Sequence, residues 1–377
     1  MCLYKSSNST ASADPRVCMF SQRNLQGLVS RCPDYEFEDA VCTFDEVDLL
    51  APRPSVIFPV GQKVANRLAK RSIINSINPG VRKTRFKKNY TLFIMKCLFL
   101  SDLLSLNSLE GWRKRCRTAV CWLVESWAGE LYKLKGHLKI LSKFDYVILN
   151  CSASVKPIQD MIKRPCFYMP PGVDAIQFCP YPDPPVKCID VYNLGRRSPI
   201  THQKLSEMAE KKQIFYVYDT INRLETSNHR QHRSLIANFS KRSRYFFANA
   251  GKIDLPFETH KQGEIGPRFF EGAAAGAVML GDYPQNEAFN NNFDWPDAVI
   301  KVPFHSPDIA EILGDLDSQP ERLKKIRRNN VIQSLLRHDW AYRWRKILEI
   351  VGLEASHALD DRENRLKNLA EEIKKTS

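Results

Sequence analysis

Between Pro170 and Pro185 prolines crowd more densely than anywhere else in the chain, and on both sides short β-rich runs alternate with longer amphipathic ones. Proline fixes φ and has no amide donor, so this stretch stiffens a connection and blocks regular structure. Strands alternating with helices fold as parallel sheets joined by helical crossovers. Two such halves in 377 residues, more than one core usually holds, predict two α/β units facing a cleft. The expected boundaries are an irregular lead-in at 1–35, rich in Ser, Asn and Pro, an N-terminal unit at 36–175, a C-terminal unit at 176–350 and a charged tail helix at 351–377, most simply a surface element.

The pattern predicts strands at 91–98, 119–124, 146–150 and 166–169 in the first half, with helices at 60–71, 109–117, 129–141 and 155–162. In the second half it predicts strands at 188–194, 213–218, 244–248, 277–281 and 298–302. Helices there are expected at 201–211, 232–242, 268–275, 307–316 and 320–336, and the chain stays helical to 348. Both halves read as Rossmann-like, with ligands at the carboxyl ends of the strands.

One segment points to the ligand. Gly263-Glu264-Ile265-Gly266-Pro267-Arg268-Phe269-Phe270-Glu271 sets carboxylates and an arginine beside a loop that becomes a helix of small residues, Ala273 to Gly276. A helix starting near Pro267 leaves amide donors of its first turn unpaired, and such donors attract phosphate. The segment reads either as a nucleotide-sugar site or as a plain packing helix with a glycine cap.

Composition narrows the partners. A formal net charge of +14 fits an acidic one: a nucleotide diphosphate, a nucleic acid or an anionic membrane face. The eleven cysteines contain no C-x-x-C pair, and Cys97 and Cys121 sit in apolar runs, so reduced thiols and a cytoplasmic location are expected. The N-terminus lacks the apolar core of a signal peptide, and the longest apolar run, 91–106, is broken by Lys96 and Asp102. Peripheral attachment at the inner membrane face through basic runs such as Arg82-Lys83-Thr84-Arg85-Phe86-Lys87-Lys88 stays open beside a plain solvated loop.

Four pieces occur in order over roughly residues 165–350: Pro171-Gly172-Val173-Asp174 with Phe178-Cys179-Pro180, Asn193-Leu194-Gly195-Arg196, the run from Pro267 to Leu280, and His338-Asp339-Trp340-Ala341-Tyr342-Arg343. Together they resemble the group 1 glycosyltransferases, in particular the spore-maturation-like and exopolysaccharide subgroup. That resemblance implies the GT-B fold and transfer of a hexose-type sugar, with retention, from a nucleotide diphosphate donor to a glycan, lipid-linked or protein acceptor, with no cofactor and no metal. It also implies that Glu271 grips the donor ribose and that Glu264 lies near the donor sugar. Six residues separate these two glutamates, one fewer than is usual in the family.

Departure of a diphosphate calls for fixed cations, so Arg196 and Arg197 past the strand end at Gly195, and Arg268 beside Gly266 and Pro267, are the candidate donor contacts. On the acceptor side Glu125, between Trp122 and Trp127, is a candidate base or hydroxyl ligand, with the two rings as sugar platforms or as core. Gly61 reads either as a phosphate-approaching loop or as an ordinary turn. His229 and His232 have ligand spacing without a flanking cluster, and no metal is expected. Two rivals remain: a non-catalytic GT-B scaffold, and a basic nucleic-acid-binding protein suggested by Arg242-Ser243-Arg244-Tyr245-Phe246-Phe247 and disfavoured because its basic residues are scattered.

Overall fold

The structure, a computed structural model, describes residues 15–71, 74–86, 88–220 and 224–375. Lys87 of the basic run and residues 1–14 of the lead-in, Cys2 among them, lie outside the described residues.

The N-terminal lobe is a parallel sheet of β1 (Val17–Phe20), β2 (Val47–Leu50), β3 (Tyr90–Cys97), β4 (Cys116–Leu123), β5 (Tyr146–Leu149) and β6 (Cys166–Tyr168), in the order β2-β1-β3-β4-β5-β6. The C-terminal lobe repeats the plan with β7 (Ile189–Asn193), β8 (Tyr216–Tyr218), β9 (Ser243–Phe247), β10 (Val278–Gly281) and β11 (Ile300–Lys301), in the order β8-β7-β9-β10-β11. In each sheet the second strand lies outside the first and the third lies inside it. Winding therefore reverses between β1 and β3 and between β7 and β9, the crevices where open parallel sheets take ligands. Strands covered on both faces must be apolar throughout, and Leu92 to Met95 and Val120 to Leu123 are fully buried.

Helices α1 (Cys32–Phe44) and α2 (Phe58–Lys70) flank the first sheet, and α3 (His229–Arg242), α4 (Pro267–Ala274) and α5 (Pro320–Arg337) the second, before α6 (Trp340–Val351) and α7 (His357–Lys375) end the described chain. The small residues of α4 do what their size allows. A Cβ on Gly272 would stand 2.8 Å from the Phe246 ring and 2.9 Å from the Met279 sulfur, so the helix rests directly on β9 and β10. Gly276 closes the helix at φ +60°, a conformation that favours glycine.

The strand–helix alternation holds, with corrections. Residues 15–35 are no irregular lead-in: Val17–Phe20 forms an interior strand, bonded on one side to β2 and on the other to β3. Its four residues are too short a run to reveal a period. The helix expected at 109–117 is instead a two-residue strand, a 3-10 turn at Trp112–Arg115 and the start of β4, because Gly111 at φ +77° breaks the chain there. Gly61 is neither a phosphate loop nor a turn. It lies inside α2, where a Cβ would meet the Pro79 carbonyl at 2.6 Å.

The C-terminal boundaries also change. After α5 the chain returns to the N-terminal lobe, where Trp340 and Trp344 pack edge-on against Phe37 of α1. The tail helix is more than a surface element: Leu359, Leu366, Ala370 and Ile373 are buried against the main core. Its Arg362 pairs with Asp174 at 2.6 Å and with Asp339 at 2.7 Å. The motif at 338–343 builds this crossing. Arg343 donates to the carbonyls of Pro170 and Pro171, and Val173 exchanges backbone bonds with His338 and Trp340, so the proline-rich connection and the return strand of chain are held as one strip.

Candidate functional site

Several contacts between the lobes arise where strands end. Leu28, after β1, bridges Glu225, after β8; Lys252, after β9, pairs with Glu125, after β4, at 2.9 Å; and Glu264 meets Ser152, after β5. The two carboxyl edges therefore face each other across a cleft. A cavity of about 630 Å³ in it is lined by Phe99, Glu125, Trp127 and Lys133 from one lobe and Lys252 and Phe257 from the other.

At the foot of the cleft lies a buried chain of charge. Glu271, fully buried on α4, accepts from Arg233 of α3 with one carboxylate oxygen and from Arg268, one turn back on α4, with the other. Arg233 also grips Glu36 of α1, Nε to Oε2 at 2.6 Å, and Glu36 accepts from the Trp340 indole at 2.8 Å and the Asp174 amide at 2.9 Å. Burial pushes the Glu271 carboxyl up, but Arg268 and Arg233 outweigh it and hold the group below the ordinary carboxylate range. For Glu36 burial prevails over Arg233 and the shift is upward. Two carboxylates thus share one guanidinium, and Glu271, which has Arg268 as a second partner, is the one held low. Arg268 is the solvent-side arm of this chain, 28% exposed where Arg233 is 3%.

The Gly195 loop forms the next wall. Its glycine is at φ +86°, its amide donates to Asp219 at 3.0 Å, and Arg197 reaches the same carboxylate oxygen at 2.7 Å while lying over the Tyr218 ring. Arg196 turns to Asp254 in the loop after β9, both bonds 2.9 Å. Tyr192 joins the two walls: burial raises its phenol, with Arg268, Glu271 and Asp219 all acting on it. The loop after β9 spans the cleft, since its Lys252 meets Glu125 and its Asp254 meets Arg196.

The expected residues thus divide. Glu271 and Arg268 converge with Arg233, and Gly195 and Arg197 converge through Asp219. Gly266 caps α4 without a side chain and Pro267 opens it. Glu264 faces the other lobe, accepting from the amides of Ser152 at 2.9 Å and Ala153 at 3.2 Å and from Gln262 at 2.6 Å; burial raises its carboxyl against these bonds. Glu125 sits at the cavity wall, and of the two readings for Trp122 the structure has core: it is fully buried beside Phe37 with the Lys96 ammonium 3.7 Å over its ring. His229 pairs with Asp39 at 2.8 Å, and no cluster of metal-ligating side chains occurs among the described residues. The aromatic–basic run 242–247 is largely the buried strand β9, its Arg244 tied to Asp190 and Asp317.

Arg233 and Glu36 were not anticipated. The signal was present for Arg233: it shares the buried face of α3 with Ile236, Ala237 and Ser240, a position where an apolar side chain is the rule.

Residues 201–349 match a family described as glycosyl transferase-like. A solved α-glucosyltransferase, in complex with UDP and a 13-mer DNA containing a central A:G mismatch, superposes with a TM-score of 0.53 at 10% identity, over 90% of this chain and all of that one. The fold is GT-B. A glycosyltransferase from Rickettsia africae ESF-5 covers 96% of this chain and 99% of its own at 13% identity, with a TM-score of 0.48. No curated protein matches the sequence. In GT-B terms, the matched segment contains α3, α4 and the loop after β9.

Proposed function

We propose that the protein is a glycosyltransferase that holds a nucleotide diphosphate sugar on its C-terminal lobe. The observation that carries this reading is the pair Glu271, fully buried, and Arg268, partly exposed, at the start of α4, within the segment that matches the glycosyl transferase-like family. An ionised carboxylate has about four acceptor sites. Two are used by arginines, which leaves acceptors for ribose hydroxyls. When a diphosphate arrives, Arg268 turns from Glu271 to the phosphate oxygens, joined by Arg197 and Arg196 from the Gly195 loop and by the amides of the first turn of α4. The UDP in the similar α-glucosyltransferase supports this choice of donor.

Glu125 at the cavity wall is the acceptor-side candidate, held by Lys252 until an acceptor hydroxyl displaces the pair. We read the transfer as retaining and metal-independent, with cations of the chain in the place of a metal. The acceptor is a glycan or a lipid-linked sugar. A nucleic-acid acceptor is the second reading, favoured by the DNA in the same neighbour and by the net charge of +14.

The test is a thermal-shift screen over uridine, guanosine, adenosine and thymidine diphosphate sugars, repeated with Glu271→Gln and Arg268→Ala. At least one donor should raise the melting temperature, by mass action, and the shift should shrink in both variants. No shift with any donor, or shifts untouched by both substitutions, would remove the reading.

A further inference from the structure

Helix α2 turns an apolar stripe outward. Val60 and Val64, one turn apart, are 68% and 50% exposed, and Val56 and Ile57 in the preceding turn are 97% and 62% exposed. Phe58, Ala65 and Ala69 on the other face hold the helix to its lobe. Basic residues ring the stripe. Lys63, Arg67, Lys70 and Arg71 are exposed along and just past α2, and Arg53, Arg82 and Arg85 are exposed on the adjoining segment. That segment is fixed at the edge of the stripe, because the Arg82 amide donates to the Arg53 carbonyl at 3.0 Å and the Ser55 amide to the Gly80 carbonyl at 2.8 Å. From 51 to 89 the sequence has ten Lys and Arg and no Asp or Glu, a large share of the chain's +14. Among the described residues, Glu110 lies 3.4 Å from Lys83 and Asp48 lies 3.2 Å from Lys88.

Exposed aliphatic side chains inside a ring of lysine and arginine suit a phospholipid surface better than the alternatives. Phosphates of a nucleic acid reward the ring but leave the stripe in water. Protein interfaces favour aromatic residues and disfavour lysine at such a centre. A helix with one apolar face and cationic flanks lies in the headgroup layer, its stripe among the first methylenes and its cations on anionic lipid. No helix among the described residues is long and apolar enough to cross a membrane, so a contact of this kind would be peripheral.

We infer that α2 with the turn at 53–57 and the basic segment at 82–85 is a docking surface for an anionic lipid bilayer. Asn66 and Lys70 at the far end of α2 line the cleft cavity, so a docked lobe opens its cavity beside the lipid surface. Bilayer binding stands apart from donor binding. Only the delivery of a lipid-linked acceptor rests on the function proposed above.

The experiment is flotation with phosphatidylcholine vesicles, with and without phosphatidylglycerol. The protein should float only with phosphatidylglycerol, and less at high salt. Val60→Asp with Val64→Asp should abolish binding at an unchanged melting temperature. Lys63→Gln with Arg67→Gln should weaken it by roughly thirtyfold, at about fivefold per basic residue near a charged surface. Both double variants should keep the thermal shift with sugar donors, which separates this surface from the donor site. Equal flotation of the Val60→Asp, Val64→Asp protein would overturn the inference. So would absence of flotation together with duplex DNA binding, or with a dimer that this double variant dissociates.

Discussion

At the residue scale, Arg233 is where the molecule is most exposed to damage. Its guanidinium satisfies Glu36 and Glu271, both buried, one from each lobe. Removing one member of a buried ionic group leaves charge without a partner, which costs about 3–5 kcal/mol. Arg233→Ala should therefore lower stability to urea by about that amount, whereas Arg196→Ala, whose partner Asp254 is solvated, should change it little. His137 supplies a pH signature. Neither of its ring nitrogens has a partner, and burial, reinforced by Lys70, pushes its pKa down to about 4. The folded state then refuses a proton that the unfolded chain accepts near pH 6.5. This contribution is complete above pH 6.5 and is lost as the pH falls toward 4, by at most about 3 kcal/mol. Urea titrations across that window should show a shallower pH slope for His137→Leu than for the parent.

At the element scale, close approach of α4 to its sheet sets the position of Glu271. Gly272→Ala would push a methyl into Phe246 and Met279 and should destabilise by about 1–3 kcal/mol while weakening donor binding. Gly266→Ala, with nothing within 4 Å of the new carbon, should leave the melting temperature nearly unchanged. The contrast was half legible in the sequence. A small-residue run between a glycine-rich loop and VML announces a helix laid tightly on a strand, and Pro267 marks its start. Which of the glycines is in contact depends on where β9 and β10 lie. The same limit explains the misread segment 109–117: its apolar and basic spacing suits a helix, but a glycine at positive φ and the pull of a sheet partner, Thr84–Arg85, override local preference.

At the scale of the whole molecule, Glu264 joins the lobes. As a carboxylate it accepts from the Ser152 and Ala153 amides at the start of a helical segment of the other lobe. Glu264→Gln leaves one oxygen for two amides and turns an NH2 toward Gln262, a mismatch of about 1–3 kcal/mol. Hydrogen exchange at Ser152 and Ala153 should quicken in that variant, with exchange inside the two sheets unchanged, if the bond is a clasp between lobes. Uniform quickening would mean that it supports the whole fold instead.

What the sequence determined alone were the terms set by neighbours along the chain: the strand–helix alternation, the proline-rich division, the loop–helix–strand unit at 263–281 and the charge excess. These rest on dihedral preference and on the period of apolar residues, which act over a few positions. Tertiary structure decided the rest. Glu36 and Arg233 are 197 positions apart, and Trp340 reaches Glu36 across 304. No local period links such residues. Their pairing exists because two buried carboxylates and a buried guanidinium cannot each remain without a partner, and only the packed lobes bring them within reach.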